Sequence, residues 1–329
     1  MYRVGLVGCG RIGADINPSG VGSSRLGSHA AACRASTRVT LVAACDPDES
    51  RRLEAQRRWQ IPAVYASLDA MLEAGQLDLA IVATPAVGRP AVLTTLVQSG
   101  RVRAVLAEKP IASSVIAAEA MEVLAAEHSV IGAVNYVRRF APGYRSVIAD
   151  IHAGAIGTVQ TMRGVYTKGV LNNGGHLLDL MRWVGGDGMT TTVTAAMAGL
   201  PDDPTVSATV SWPGGLCGTM TGLSHEAFTI FELDVIGTEG RVTFGDLGHR
   251  VDRWAVEDTR ARFGFRQLGP AMTSDPALTS ALSGALDNLA DCLDGTATPH
   301  CTFADGRAAL GLALTVRRQA HDAFPELAE

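Results

Sequence analysis

Up to about residue 136, short apolar runs alternate with segments whose apolar residues recur every three or four positions. The runs Tyr2 to Val7, Val39 to Cys45, Leu79 to Ala83, Ala104 to Ala107 and Val130 to Val134 have few polar positions. Near-continuous apolar runs of that length are the mark of strands buried on both faces of a parallel sheet. Between them, "DESRRLEAQRRW", "SLDAMLEAG", "RPAVLTTLVQSG" and "SSVIAAEAMEVLAAEH" carry the helical period. Strands alternating with helices of this length predict βαβ units.

After residue 137 the pattern changes. A helical stretch, Pro142 to Ala153, leads into runs rich in Val and Thr: "TVQTMRGVYT", "TTTVTAAMAG", "TVSATVSW", "LCGTMTGLS", "FTIFELDVIGT" and "GRVTFGD". Turn-forming "PGG" and "TEG" separate some of them, so a mostly antiparallel sheet of five or more strands is expected. Helical patterns return over Thr279 to Leu293 and Ala304 to Ala323. The expectation is an α/β protein of two domains, residues 1–137 and 138–329. No internal repeat or low-complexity tract is visible.

Charge narrows the choice of partner. The 329 residues carry a net charge of −5 with no basic block, which argues against nucleic acid or an anionic membrane surface. No apolar run approaches the roughly 20 residues needed to span a bilayer. The chain opens on a strand without a positive and then apolar leader, so no secretory signal is expected. Six cysteines lack metal-like spacing, and three lie in or beside core elements. A reducing cytoplasm is the expected location.

Three strand ends carry candidate chemistry. In "GLVGCGRIG", Gly8, Gly10 and Gly13 have the G-x-G-x-x-G spacing directly after a strand. Glycines there allow a tight turn and let a pyrophosphate approach backbone amides at a helix N-terminus. The second strand ends at Asp46, which can accept both hydroxyls of an adenosine ribose, or can open the helix of "DPDESRRLEAQ" as a cap. Both hold if Asp48 caps while Asp46 binds. Gly13 and Asp46 lie further apart than the roughly 20 residues usual for this fingerprint. The loop-like "ADINPSGVGSSRLG" (Ala14 to Gly27) accounts for the excess. A Rossmann dinucleotide-binding domain is the expectation. The other strand end is "VLAEKPIASS", where an apolar run stops at Glu108, Lys109 and Pro110. Lys109 is either a lysine reaching from a strand end to solvent or a group placed for chemistry.

In "NNGGHLLDLMRWVGG", a turn precedes an amphipathic helix, and His176 and Asp179 share one face near its start. They could be a core histidine with its acid, or two ligands of a metal lacking a third. Arg138 and Arg139 in "YVRRF" could meet an anionic substrate group or be ion-paired.

These motifs, "GLVGCGRIG", "VAACDPD", "VATP" (Val82 to Pro85), "AEKP" and "NNGGHLLDL", come in an order that resembles the glucose–fructose oxidoreductase, inositol dehydrogenase and MocA family. The resemblance covers essentially the whole chain. It implies a Rossmann domain followed by an α/β domain with an open, mostly antiparallel sheet. It also implies NAD, with NADP the lesser choice because Asp46 would repel a 2′-phosphate unless Arg51 or Arg52 received it.

By the same resemblance, Gly8, Gly10, Arg11, Ile12, Gly13, Asp46, Thr84, Pro85, Glu108, Lys109 and Asn135 would bind the cofactor. Glu108 would lie at the nicotinamide ribose, and the proline after Lys109 is often cis. Lys109 and His176 would be the catalytic pair, with Lys109, Asn172, His176 and Asp179 binding substrate. A desolvated ammonium gives up its proton more easily, which suits that role. Asn172 stands where inositol dehydrogenases carry an acid; an amide can hold a hydroxyl but cannot relay a proton.

The implied activity is hydride transfer between nicotinamide and a secondary alcohol or ketone of a sugar, amino sugar, nucleotide sugar or cyclitol. The alternatives are an NAD-dependent glycosidase of the family and a dinucleotide-sensing protein without catalysis. Pairing of sheet faces in the family implies a homodimer or homotetramer through the C-terminal sheet, and an exposed apolar sheet face is the expected contact. The Ala14 to Gly27 insertion is expected to border the substrate pocket, with Asn17 or Arg25 in reach.

Overall fold

The computed structural model describes residues 1–15, 27–200, 202–262 and 264–325. The chain divides into two compact units, Met1–Ala141 with Thr279–Ala308, and Pro142–Leu278 with the residues from Ala309 onward. Residues 16–26 of the insertion, which include Asn17 and Arg25, lie outside the described residues.

The first unit runs β1 (Tyr2–Val7), α1 (Arg11–Ala14), α2 (His29–Ala35), β2 (Val39–Cys45), α3 (Glu49–Trp59), β3 (Ala63–Tyr65), α4 (Leu68–Glu73), β4 (Leu79–Val82), α5 (Arg89–Gln98), β5 (Ala104–Ala107), α6 (Val115–Glu127) and β6 (Ile131–Val134). Its sheet is parallel, in the order β3-β2-β1-β4-β5-β6. That is the doubly wound arrangement, with the order reversing beside β1. Central strands β4 and β5 are buried throughout, which is why they read as unbroken apolar runs. Short polar residues open the helices. Ser28, Asp48, Ser67 and Ser114 each accept a backbone N–H three residues on.

The second unit runs α7 (Pro142–His152), β7 (Val159–Thr167), a widened π-type helical segment Gly169–Gly174, α8 (Gly175–Gly185), β8 (Thr190–Leu200), β9 (Asp203–Ser211), β10 (Cys217–Leu223), β11 (Phe231–Gly237), β12 (Gly240–Gly245), β13 (Arg250–Arg262), β14 (Phe265–Leu268) and β15 (Met272–Ser274). Its strands follow the order β14-β13-β12-β11-β7-β10-β9-β8, with β15 also on β13. Only the β7–β10 pair is parallel. Helix α9 (Ala281–Leu293) belongs to the first unit, and α10 (Phe303–Ala323) begins there.

The two faces of this sheet correct one expectation. The apolar face is the covered one, with Met162, Tyr166, Leu233, Val235 and Phe244 buried. Helix α8 lies so close that a Cβ on Gly164 would come within 2.6 Å of Leu177. The register places Thr209, Thr219, Arg163, Asp234 and Thr243 side by side across β9, β10, β7, β11 and β12. Their face is the open one, and it is polar because strand alternation sends every second residue away from α8. Among the cysteines, Cys9, Cys33, Cys45, Cys292 and Cys301 are buried and Cys217 is exposed, all free. No described helix is long and apolar enough to cross a membrane.

Candidate active site

The turn after β1 shows why glycine is needed at two of its three positions. Gly8 has φ of 96°, and a Cβ there would meet the Ala83 carbonyl at 2.9 Å. On Gly13 a Cβ would strike the Gly8 carbonyl at 2.0 Å, so the start of α1 packs directly on the turn. A Cβ on Gly10 would meet nothing within 4 Å. Gly8 and Gly10 line an open cavity of about 720 Å³, shared with Ile12, Asp46, Thr84, Pro85, Glu108 and Lys109. Gly13 lies beneath the turn, Arg11 is exposed at the head of α1, and neither lines the cavity.

Asp46 is buried at the end of β2. Its Oδ2 accepts from the Cys9 N–H at 2.8 Å and its Oδ1 from the Asp48 N–H at 2.9 Å. Asp48 accepts from Arg51 N–H at 3.1 Å and caps α3, so the capping role that the sequence left open between the two acids falls to Asp48. Arg51 also lines the cavity and pairs with Asp48, while Arg52 pairs with Glu49.

At the end of β5 the Glu108 carboxylate is enclosed. Its Oε1 accepts from His29 Nε2 at 2.8 Å and from the Asn135 amide at 2.7 Å. Burial pushes the Glu108 carboxyl up, but His29, Asn135 and the nearby Lys109 ammonium outweigh it and hold it below the ordinary range. His29, fully buried at the first position of α2, escaped the sequence reading. Its only local sign is Ser28 acting as an N-cap before an alanine-rich run.

Arg89 also escaped it. Its guanidinium donates to the Glu108 carbonyl at 2.6 Å and to the carbonyls of Pro110 and Thr84. Burial lowers its pKa to about 10, a shift that Glu108 opposes, and it remains charged at neutral pH. One side chain thus fixes the loop after β4 to both sides of Lys109. The Lys109–Pro110 peptide is cis.

In the second unit, Asn172 and His176 are half-buried and Asp179 is buried. Asn172 sits in the widened segment, with His176 and Asp179 in the first turns of α8. Helix α8 stops at Gly185 because Gly186, at φ of 85°, leaves the helical region. No cluster of three potential metal ligands occurs among the described residues. Of the two arginines read as either anion binders or ion-paired side chains, Arg139 is buried and paired with Asp305 at 3.5 Å.

Residues 2–136 match the Gfo/Idh/MocA model, an oxidoreductase family with an NAD-binding Rossmann fold. Over those residues the chain is similar to this family. It is 26% identical to the myo-inositol dehydrogenase Hyg17 of Streptomyces leeuwenhoekii, over 96% of this chain and 97% of that one. With the rhizopine catabolism protein MocA of Rhizobium meliloti it shares 27% identity over 61% of this chain, and it spans 65% of that relative's length. The WlbA dehydrogenase of Bordetella pertussis, solved with NADH and UDP-GlcNAcA, has the same fold. Its TM-score is 0.77 at 22% identity, covering 98% of this chain and 96% of that one.

The family's NAD fits the described residues. The space above Gly10 is open, Asp46 faces the cavity, and Thr84 Oγ1 is buried in the cavity's lining without a partner. Thr84 and Asn135, whose Oδ1 is also buried and unpartnered, offer polar atoms still to be satisfied.

The Glu108 network has a pH signature. Its folded pKa lies below the unfolded value, so its stabilisation is complete above that value and lost as pH falls through the folded one. Glu108→Gln should therefore lower stability at pH 7 by roughly 1–3 kcal/mol, the cost of breaking a buried charged hydrogen bond. The difference from the parent should shrink below the ordinary glutamate value of 4.5. Urea unfolding at pH 7 and at about pH 3 tests this, and an equal difference at both would refute it.

Proposed function

We propose that this protein is an NAD-dependent dehydrogenase or ketoreductase acting on a secondary alcohol, or its ketone, of a sugar, amino sugar, nucleotide sugar or cyclitol. The carrying observation is the cavity at the carboxyl ends of the first sheet, which Gly8, Gly10, Asp46 and Lys109 line together. A lysine in the same cavity as the dinucleotide-binding elements is placed for chemistry. Named activities of relatives, inositol and D-apiose dehydrogenases among them, support the substrate class.

NAD, when bound, supplies the acceptor or donor of hydride. Residues 1–137 would hold it. Gly8, Gly10, Arg11, Ile12 and Gly13 form the pyrophosphate turn, Asp46 receives the adenosine ribose, and Thr84, Pro85, Glu108 and Asn135 serve the nicotinamide end. Lys109 would hold and release the proton of the substrate oxygen. Residues 138–329 would bind substrate, with His176 as acid or base and Asn172 and Asp179 orienting hydroxyls. Positioning of this kind supplies much of the acceleration.

The open polar face of the second sheet would close against a second copy of the chain, and the free buried thiols suit a reducing cytoplasm. Light scattering should give a multiple of the 34.3 kDa chain mass, and a monomer's mass at micromolar concentration would exclude the homo-oligomer.

A screen of sugars, amino sugars and cyclitols, followed by nicotinamide absorbance, tests the activity. Lys109→Ala should abolish turnover of the best substrate while NAD affinity stays within a few-fold. His176→Ala should lower kcat by about 10²–10⁴, the contribution of a general acid or base. Equal losses of rate and NAD affinity in Lys109→Ala would make Lys109 a cofactor anchor instead.

Cofactor choice rests on Asp46. Asp46→Ala should weaken NAD and tighten NADP, because the carboxylate that receives two ribose hydroxyls also repels a 2′-phosphate. Fluorescence titration of both cofactors reads this directly, and unchanged affinities would remove Asp46 from the ribose site.

A further inference from the structure

Gly169–Gly174 and α8 form one helical stretch, and it begins without a local cap. Lys168, before it, has φ of 71° and makes no capping side-chain hydrogen bond, and neither does Gly174 at the join. The first four N–H groups of a helix have no partner within the helix. Here three of the four are answered from β9. Gly169 N–H donates to Thr205 Oγ1 at 3.0 Å, Leu171 N–H to Asp203 Oδ1 at 2.7 Å and Asn172 N–H to Asp203 Oδ2 at 3.0 Å. Asp203 is buried at the head of β9, so its charge is held at the positive end of the helix dipole.

A second observation shows that the chain is shaped around this carboxylate. Gly169 has φ of 78°, and a Cβ on it would lie 2.2 Å from Asp203 Oδ2 and 2.3 Å from its Cγ. The glycine therefore serves two purposes: it adopts a left-handed backbone and leaves room for the carboxylate to reach the amides beyond it.

We propose that Asp203 is a positioning residue for the reaction, a cap supplied from a neighbouring strand that fixes the backbone of Asn172 and, one turn later, the place of His176. Asp203 acts through those residues and touches no reacting atom. The proposal rests on the roles given above to Asn172 and His176, but its structural half can be read without any substrate.

The test combines amide hydrogen exchange with steady-state kinetics on the full chain. In Asp203→Ala, exchange across residues 169–175 should accelerate by about tenfold or more, since charge-assisted hydrogen bonds are lost. The Rossmann unit should exchange as before and NAD affinity should not move. With a substrate in hand, kcat should fall by about tenfold to a hundredfold, the usual effect of displacing a reacting group by a fraction of an ångström to one ångström. Asp203→Asn keeps one acceptor oxygen and should recover part of both effects. Gly169→Ala, which leaves Asp203 in place but drives a methyl into it, should reproduce them, and it serves if Asp203→Ala does not fold.

Unchanged exchange at 169–175 in the soluble variants overturns the cap. Faster exchange with unchanged kcat overturns the positioning role. Failure of the parent to turn over any sugar or cyclitol would count against the functional reading, while the exchange result would still decide the cap.

Discussion

Asp46 accepts one backbone amide on each oxygen, from Cys9 at 2.8 Å and Asp48 at 2.9 Å, and the dinucleotide end of the structure depends on that pair of bonds. A carboxylate taken out of water is costly unless donors surround it. Backbone amides in a turn are equally costly to leave unmet. Each therefore fixes the other, and the turn after β1, the end of β2 and the cap of α3 share one geometry. The same trade recurs at Asp203, which holds the widened segment that leads into α8. Glu108 uses side-chain donors from α2 and from the residue after β6 to the same end.

The fold was legible in the sequence wherever burial was symmetric or periodic. Val39–Cys45 and Ala104–Ala107 were read to the residue because parallel strands are apolar on both faces. Three-residue β3 was too short for any period to show, and β13 was missed because charges fall on both of its faces, with Arg250 and Asp252 on one and Arg253 on the other. Helix α2 was hidden behind the Gly- and Ser-rich insertion, which made the residues after it look like more loop.

Of the site, the residues at strand ends were legible because a glycine turn, an acid or a lysine is conspicuous where an apolar run stops. Gly8, Gly10, Asp46, Glu108 and Lys109 are such residues, and they line one cavity. His29, Arg89 and Asp203 were not legible. Their meaning lies in partners 79, 19 and 32 positions away, and no local spacing announces a bond of that reach. Each of the three holds other residues in place, a role that a motif search built on reacting groups does not see.

Arg89 joins the carbonyl of Thr84 to those on either side of Lys109, so residues 84–110 behave as one cassette. Anyone grafting the loop after β4 or the Glu-Lys-Pro turn between homologues would be exchanging half of a joint. A transplant that carries the lysine but leaves behind the arginine delivers the side chain without its mount. The natural unit of exchange, in a laboratory or in recombination between relatives, is the whole span from the end of β4 through α5 and β5 to Pro110.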